Sequence, residues 1–317
     1  MAEYMIEIEN LVKRYGKKYA LNGISFSVGK GEIVGFLGPN GAGKSTAMNI
    51  LTGYLSSNSG TVKVGGCDIL DEPGKVKKLI GYLPEIPPLY MDMTVGEYLN
   101  FVYELKGCEL PREPHLEEVS KVTKIVDVKD RLIANLSKGY RQRVGIAQAL
   151  VGDPKVIILD EPTVGLDPKQ IIEIRSLIRR LGRNHTVILS THILSEVQAV
   201  CDRIIIIEGG RIVANEKTDD IASAVNRNRR YNLKICGATK DVLNALKGLD
   251  GVAYVEITGE RDLDAYTYVV ESAKGVDIRK PIFRLCAERD FPIIGFEPAG
   301  MSIEDVFIRL TDEKSSS

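Results

Sequence analysis

The sequence predicts an α/β protein with a parallel sheet wrapped by helices, followed by a small α+β domain. Short runs at 156–159, 186–189 and 204–207, apolar except for Thr186, are typical of strands buried on both faces, and helical patterns separate them. A glycine-rich segment at 38–46 follows another apolar run and precedes apolar residues at helical spacing. Strands that alternate with helices in this way form a parallel sheet with helices on its faces.

Length and charge narrow the class of protein. The chain has 317 residues, which is comfortable for two domains, and we place these at 1–226 and 227–317. The net charge of −1 gives no electrostatic reason to expect nucleic acid as the main partner. The sequence contains no run of 18 apolar residues and no secretory leader, so we expect a cytoplasmic protein that does not span a bilayer by itself.

The first domain begins with antiparallel strands and contains a helical insert. Residues 5–36 alternate between apolar and polar, with these inward positions: Ile6, Ile8, Ile24, Phe26 and Val28. The segment from about 86 to 150 is strongly helical, and Thr94 with Glu97 matches a capping box at a helix start. The pair Gly209 and Gly210 predicts a hairpin that closes the domain.

The second domain has a different pattern. We predict strands at 231–236, 252–257, 266–271 and 292–296 and helices at 239–248 and 276–289. This β-α-β-β-α-β order is compatible with a ferredoxin-like module. A last amphipathic helix opens at Ser302 and presents Ile303, Val306, Phe307 and Leu310 on one face.

The glycine-rich segment reads GPNGAGKST, an intact phosphate-binding loop. Glycines let backbone N–H groups point inward at a phosphate, and the following helix adds its positive dipole end. Lys44 can reach the β- and γ-phosphates, and Ser45 can place its hydroxyl on Mg²⁺. The loop therefore predicts binding of ATP or GTP through Gly38, Pro39, Asn40, Gly41, Ala42, Gly43, Lys44, Ser45 and Thr46.

Two acids follow the buried strand 156–159 at the edge where ligands bind in open α/β sheets. Asp160 is placed to hold the Mg²⁺ shell. Glu161 is placed to orient or deprotonate an attacking water. The pair therefore predicts phosphate hydrolysis rather than binding alone.

Three further sequence motifs follow the phosphate loop along the chain. They are LSKGYRQR at 136–143, GLDP at 165–168 and STH at 190–192. With the phosphate loop and the acidic strand end, this order resembles the ATP-binding cassette (ABC) family over residues 4 to about 220. The resemblance implies a P-loop NTPase of ABC type, with a RecA-like core, an antiparallel β-subdomain and a helical insert, that binds and hydrolyses ATP with Mg²⁺.

The resemblance also implies a dimer of cassettes, identical or not, with two ATP molecules sandwiched between them. Ser137 and the backbone of Gly139 would grip the γ-phosphate held by the partner. Tyr15 would stack on adenine, Asp167 would act across the interface, and His192 would contact the γ-phosphate. Each of the last three residues has a structural alternative: a turn aromatic for Tyr15, a turn former for Asp167 and a satisfied core histidine for His192.

Two departures from the family pattern stand out. The usual LSGGQ carries Lys138 and Tyr140 at its third and fifth places, and we expect catalysis to survive because Ser137 and backbone donors remain. The glutamine that joins the Mg²⁺ site to the helical insert falls at Glu85. A carboxylate can also ligate Mg²⁺, although its charge changes the site.

As a whole, the chain resembles the single-cassette ATPases of bacterial export systems for drugs, antibiotics, lipids, polysaccharides and gliding components. It would then act at the inner face of the cell membrane with a separate membrane-spanning permease. We nominate an apolar docking surface for that permease: 86–91, Tyr98 and Phe101, with core packing of the insert as the alternative. The rival function is a soluble ABC ATPase that switches on ribosomes or DNA, which the single phosphate loop and the lack of heptads disfavour.

Overall fold

A computed structural model describes residues 4–219, 230–262, 264–273 and 275–299. The chain divides into two compact units, Met1–Thr218 and Asp219–Ser317. The boundary expected between residues 226 and 227 lies outside the described residues.

The first unit opens with an antiparallel sheet. Its strands are β1 (Tyr4–Tyr15), β2 (Lys18–Gly29), β4 (Ser59–Val64) and β5 (Cys67–Asp68), in the order β2-β1-β4-β5. All five residues predicted to point inward from β1 and β2 are buried. The alternating pattern therefore placed the buried face of this sheet correctly.

The core of the unit is a six-stranded sheet in the order β10-β9-β3-β8-β7-β6. Its strands are β3 (Ile33–Leu37), β6 (Ile80–Leu83), β7 (Val156–Asp160), β8 (Thr186–Thr191), β9 (Arg203–Glu208) and β10 (Arg211–Lys217). The strands are parallel except β10, which pairs antiparallel with β9 through the predicted hairpin. Because β3, β8 and β7 are neighbours, their carboxyl ends bring three loops to one edge.

Seven helices of the first unit are described: α1 (Lys44–Leu51), α2 (Pro73–Leu79), α3 (Val95–Leu105), α4 (Arg112–Thr123), α5 (Lys138–Leu150), α6 (Pro168–Leu181) and α7 (Leu194–Val200). Helix α1 is shorter than its apolar spacing suggested, and Leu55 lies beyond it. Gly53 has a left-handed φ of 70° and donates its N–H back to Ile50 O at 3.0 Å, which ends the helix.

The helical insert consists of α3, α4 and α5. The predicted capping box is present at its start: Glu97 N donates to the Thr94 hydroxyl at 3.2 Å, and Thr94 N donates to the Glu97 carboxylate at 2.8 Å. Two backbone N–H groups at the helix start are thus satisfied locally.

The second unit has the β-α-β-β-α-β order predicted for it. Its elements are β11 (Arg230–Cys236), α8 (Thr239–Lys247), β12 (Val252–Asp262), β13 (Ala265–Ser272), α9 (Arg279–Glu288) and β14 (Ile293–Pro298). The strands form one antiparallel sheet in the order β12-β13-β11-β14, which is the ferredoxin-like arrangement. The helix predicted from Ser302 lies outside the described residues.

Across the described ranges of both units, we find no helix with the length and apolar character needed to cross a bilayer.

Candidate nucleotide site

The phosphate loop joins β3 to α1 and depends on its glycines. Gly41 and Gly43 have φ values of 80° and 111°, a region that side chains disfavour. At Gly38 and Gly43 a Cβ would also collide with backbone carbonyls, those of Ile207 and Ala20. Gly43 caps α1 without a side chain, so the first N–H groups of the helix keep no side-chain acceptor. The loop therefore has the backbone geometry that an anion requires.

Lys44 is buried and folds back over the loop. Its ammonium donates to Gly38 O at 2.7 Å and to Pro39 O at 3.3 Å. It also lies 3.6 Å from the Glu161 carboxylate. The Lys44 ammonium is thus held between the phosphate loop and the end of β7.

Glu161 occupies a strained position at the end of β7. Its φ of 48° is left-handed, which is uncommon for a residue with a side chain. Its N–H donates to Ser190 O at 2.9 Å, which ties this turn to β8. Nδ1 of His192 lies 3.0 Å from both carboxylate oxygens of Glu161. The structure thus brings together two residues that are 31 positions apart in sequence.

Asp160, one residue earlier, has the donor chemistry of a magnesium ligand. It is buried, and its Oδ1 has no hydrogen-bond partner among the described residues. Its negative charge, after burial as the larger cause, helps to raise the pKa of the nearby Tyr82 phenol. A buried carboxylate oxygen without a donor is expensive unless a cation satisfies it, so Asp160 with the Ser45 hydroxyl fits Mg²⁺.

The phosphate loop, Glu161 and His192 border a cavity of about 480 Å³; Asp160 is not among its lining residues. Of the predicted site residues, the lining includes Tyr15, Asn40, Gly41, Gly43, Lys44, Ser45, Thr46, Glu85, Glu161 and His192. Tyr15 is half exposed, and the Lys13 ammonium lies 5.5 Å from its ring centroid. Lys18, Ala20 and Val164 also line the cavity and were missed, since only the β1–β2 hairpin and the loop after Glu161 bring them there.

Ser137, Gly139 and Asp167 do not line this cavity. Ser137 caps α5 by accepting from Tyr140 N at 3.4 Å, and Asp167 caps α6 by accepting from Gln170 N at 2.9 Å. Gly139 is buried against the Gln170 side chain, where a Cβ would collide. These residues form a second surface around two helix starts.

Both departures in the signature segment make contacts inside the chain. The Tyr140 hydroxyl donates to Asp127 at 2.6 Å, and this hydrogen bond raises the pKa of Tyr140. The Lys138 ammonium lies over Gly165, so close that a Cβ there would collide. Tyr140 is therefore engaged with the helical insert, and Lys138 packs on the loop before α6.

The docking surface nominated from sequence needs one correction. Tyr98 is only 2% exposed; its hydroxyl donates to Gln148 and lies 3.3 Å from Pro88 O. Phe101 is half buried and makes an edge contact with Tyr90 at 5.3 Å. Tyr98 therefore belongs to the core of the helical insert, because α5 covers it.

A parallel sheet with a phosphate loop, a buried carboxylate pair and a facing histidine defines a nucleotide-hydrolysing protein of the phosphate-loop class. A family profile described as "ABC transporter" matches residues 21–164. An ABC transporter ATP-binding protein of Bacillus subtilis, YxlF, is 32% identical over 310 residues, 96% of this chain and 99% of its own length. The chain therefore belongs to the ATP-binding proteins of ABC transporters, and it is an ATPase.

Two relatives with assigned functions are similar over most of the chain. The linearmycin resistance ATP-binding protein LnrL of Bacillus subtilis is 36% identical over 80% of this chain and 82% of its own. The bacitracin transport ATP-binding protein BcrA of Bacillus licheniformis is 30% identical over 96% of this chain and 97% of its own. These similarities confirm the predicted ATPase subunit of a transporter.

Solved structures of ATP-binding cassettes are similar to most of this chain. A dimeric ATP-binding cassette in a post-hydrolysis state with ADP and phosphate superposes with a TM-score of 0.62 at 28% identity, over 68% of this chain and 99% of its own. The subunit cbiO1 of the Clostridium perfringens transporter complex cbiONQ gives 0.64 at 30% identity, over 70% of this chain and 91% of its own. The predicted fold class is confirmed.

Proposed function

We propose that ATP hydrolysis by this chain drives export of a compound through a separate membrane-spanning permease, at the inner face of the cell membrane. The bacitracin and linearmycin relatives support the export direction, since resistance is served by removing an antibiotic from the cell. The observation that carries the ATPase role in this chain is the buried Glu161 carboxylate between His192 and Lys44 at the mouth of the phosphate loop.

In this proposal the loop from Gly38 to Thr46 binds the phosphates of ATP through its N–H groups and Lys44. Tyr15 stacks on adenine at the rim of the cavity. Ser45, Asp160 and Glu85 hold Mg²⁺, and the bound ion would neutralise part of the phosphate charge.

Hydrolysis then requires a positioned water. Glu161 accepts a hydrogen bond from that water and takes its proton as the oxygen attacks the γ-phosphorus, while the bond from that phosphorus to the β–γ bridging oxygen breaks and ADP leaves. His192 holds the Glu161 carboxylate in place and reaches toward the γ-phosphate. Lys44 leaves its loop carbonyls for the phosphate oxygens, since charge-assisted hydrogen bonds to phosphate are the stronger ones.

Ser137 and Gly139 would serve a second copy of the cassette, as in the dimer that the family resemblance implies; neither residue lines the cavity of its own chain. The positive end of the α5 dipole, where Ser137 is the N-cap, is suited to an anion. A γ-phosphate bound by one cassette would then meet Ser137 of the other, and ATP would close the dimer that hydrolysis reopens. Asp167 would contact the partner cassette from the start of α6.

The permease would dock on the patch formed by Ile86, Tyr90 and Met91. Ile86 is 82% exposed, and the two other side chains are about half exposed. Exposed apolar side chains of this size on one loop are typical of an interface.

The second unit is proposed as a separate accessory domain that regulates or stabilises cassette dimerisation. A deletion of residues 227–317 tests this proposal. Loss of ATP-dependent dimer, with the monomer still folded, would support it. Unchanged ATPase activity and unchanged assembly would leave the domain as structural padding.

The experiment that tests the catalytic proposal compares Glu161→Gln with Glu113→Gln, an exposed acid on α4. Glu161→Gln should lower kcat by about 10²- to 10⁴-fold while ATP still binds, because the amide cannot take a proton. Glu113→Gln should leave turnover unchanged. Normal turnover in Glu161→Gln would refute the role assigned to Glu161.

The transport proposal is tested by purifying the tagged Glu161→Gln chain with ATP from gently solubilised native membranes. A stoichiometric multi-spanning partner supports export through a permease. Replacement of Ile86 by Asp should then remove that partner. Recovery of ribosomal material or of a soluble dimer would favour the rival reading, a cytosolic ATP-driven switch.

A further inference from the structure

The loops that carry Glu161 and His192 are joined by a third, buried carboxylate. Glu196 lies on α7 and is 2% exposed. It accepts from the Thr163 hydroxyl at 2.5 Å and from the Thr191 hydroxyl at 3.0 Å. Thr163 follows Glu161 by two residues, and Thr191 directly precedes His192.

The geometry points to Glu196 as a positioning residue that sets the distance between Glu161 and His192 for ATP hydrolysis. This inference rests on the catalytic roles proposed above for Glu161 and His192. Glu196 itself is not among the lining residues of the nucleotide cavity. It therefore acts through the two threonines rather than on ATP.

The bonding pattern explains why a carboxylate is needed here. An ionised carboxylate only accepts hydrogen bonds, so both threonine hydroxyls must donate to it. Thr191 already accepts from Ile193 N at 3.2 Å, which leaves its hydroxyl proton for Glu196. An amide at position 196 would point its NH₂ group at one of the two hydroxyls, so that hydroxyl could no longer donate to residue 196.

The surroundings keep the carboxylate in place. Both threonines are buried, and Arg175 on α6 lies 3.9 Å from the Glu196 carboxylate. The Glu196 carboxylate therefore contacts the loop after β7, the end of β8 and helix α6. Since Nδ1 of His192 is 3.0 Å from Glu161, a shift of either loop would open that contact.

The test is steady-state ATP hydrolysis by the full chain with four variants: Glu196→Gln, Thr163→Val, their combination and the exposed control Glu113→Gln. We expect kcat to fall by about 10- to 100-fold in Glu196→Gln, as for other misplacements of a reacting group by about 1 Å. KM and the affinity for a fluorescent ATP analogue should change by less than about 3-fold, because binding groups are untouched.

The double variant supplies the decisive readout. If Glu196 and Thr163 act as one unit, Thr163→Val lowers kcat in the native background and adds little in the Glu196→Gln background. Fully additive effects, or a Glu196→Gln variant that melts at lower temperature but turns over normally, would overturn the positioning role. If Glu196→Gln does not fold, Thr163→Val alone decides, since normal kcat in that variant contradicts the inference.

Failure of this inference is separable from failure of the catalytic proposal. When Glu161→Gln abolishes turnover and Glu196→Gln does not, only the positioning role is lost. When Glu161→Gln leaves turnover unchanged, the catalytic role falls and the positioning role falls with it.

Discussion

Replacement of Gly43 by alanine tests two separate constraints on the phosphate loop: the left-handed backbone and the lack of space for a Cβ. Gly43 and Gly41 both have positive φ, so alanine strains either position. They differ in their surroundings: a Cβ on Gly41 meets nothing within 4 Å, whereas one on Gly43 comes within 3.0 Å of Ala20 O and the Leu21 side chain. Gly41→Ala is therefore a control for strain without collision.

The magnitudes follow from these two contributions. Left-handed backbone costs a residue with a side chain about 1–2 kcal/mol. Overpacking against groups that cannot move away costs about 1–3 kcal/mol more. We expect losses of about 1.5 kcal/mol for Gly41→Ala and about 3.5 kcal/mol for Gly43→Ala. At about 3 °C per kcal/mol for a unit of this size, the Tm should fall by about 5 °C and about 10 °C.

Scanning calorimetry with and without ATP measures both shifts. The transition that ATP raises belongs to the cassette, because a ligand stabilises only the unit that binds it. Equal losses in the two variants, or a larger loss in Gly41→Ala, would show that collision with Ala20 O does not constrain the loop.

Three further predictions concern charge and packing. Asp160→Asn should raise the Mg²⁺ concentration for half-maximal ATPase activity by about 10-fold or more, since a carboxylate ligand is lost; an unchanged Mg²⁺ titration contradicts the assigned metal site. Although burial alone would raise it, the pKa of Glu32 is lowered, chiefly by its hydrogen bonds from Arg203. A lowered pKa stabilises the fold at pH values above the ordinary pKa of 4.5, so Glu32→Gln should cost about 1–2 kcal/mol at pH 7. The Tm difference should shrink as the pH falls below 4.5 and through the lowered pKa of Glu32; a Tm difference that does not change with pH argues against the charge. Tyr98→Phe should lower the stability by about 1–2 kcal/mol in urea unfolding and leave permease binding intact, because its hydroxyl bonds Gln148 inside the insert; loss of the permease alone would restore Tyr98 to the docking surface.

The parts of the fold that sequence predicted best have local causes. The strands β7, β8 and β9 each contain three or four consecutive apolar residues, and the phosphate loop needs only nine consecutive residues. The strand β6 was missed, since its sequence IGYL is short and contains a glycine. The capping box gave the start of α3 correctly because both partners lie within four residues.

The parts of the site that could not be predicted from the sequence depend on packing between distant segments. The contact of Glu161 with His192 exists because β7 and β8 are neighbours in the sheet. Glu196 carried no motif, and only the convergence of two threonines marks it. The burial of Tyr98 likewise depends on the packing of α5 against α3, because an aromatic residue on an amphipathic helix can face either the core or the solvent.

Helix α5 has a mechanical consequence that follows from its two ends. Its thirteen residues form a rod about 20 Å long, stiff along its axis. Ser137 is the N-cap at one end, and near the other end Gln148 accepts from the Tyr98 hydroxyl, which lies 3.3 Å from Pro88 O in the loop before α3. One continuous helix therefore joins the contacts of that loop to the cap residue of the signature segment.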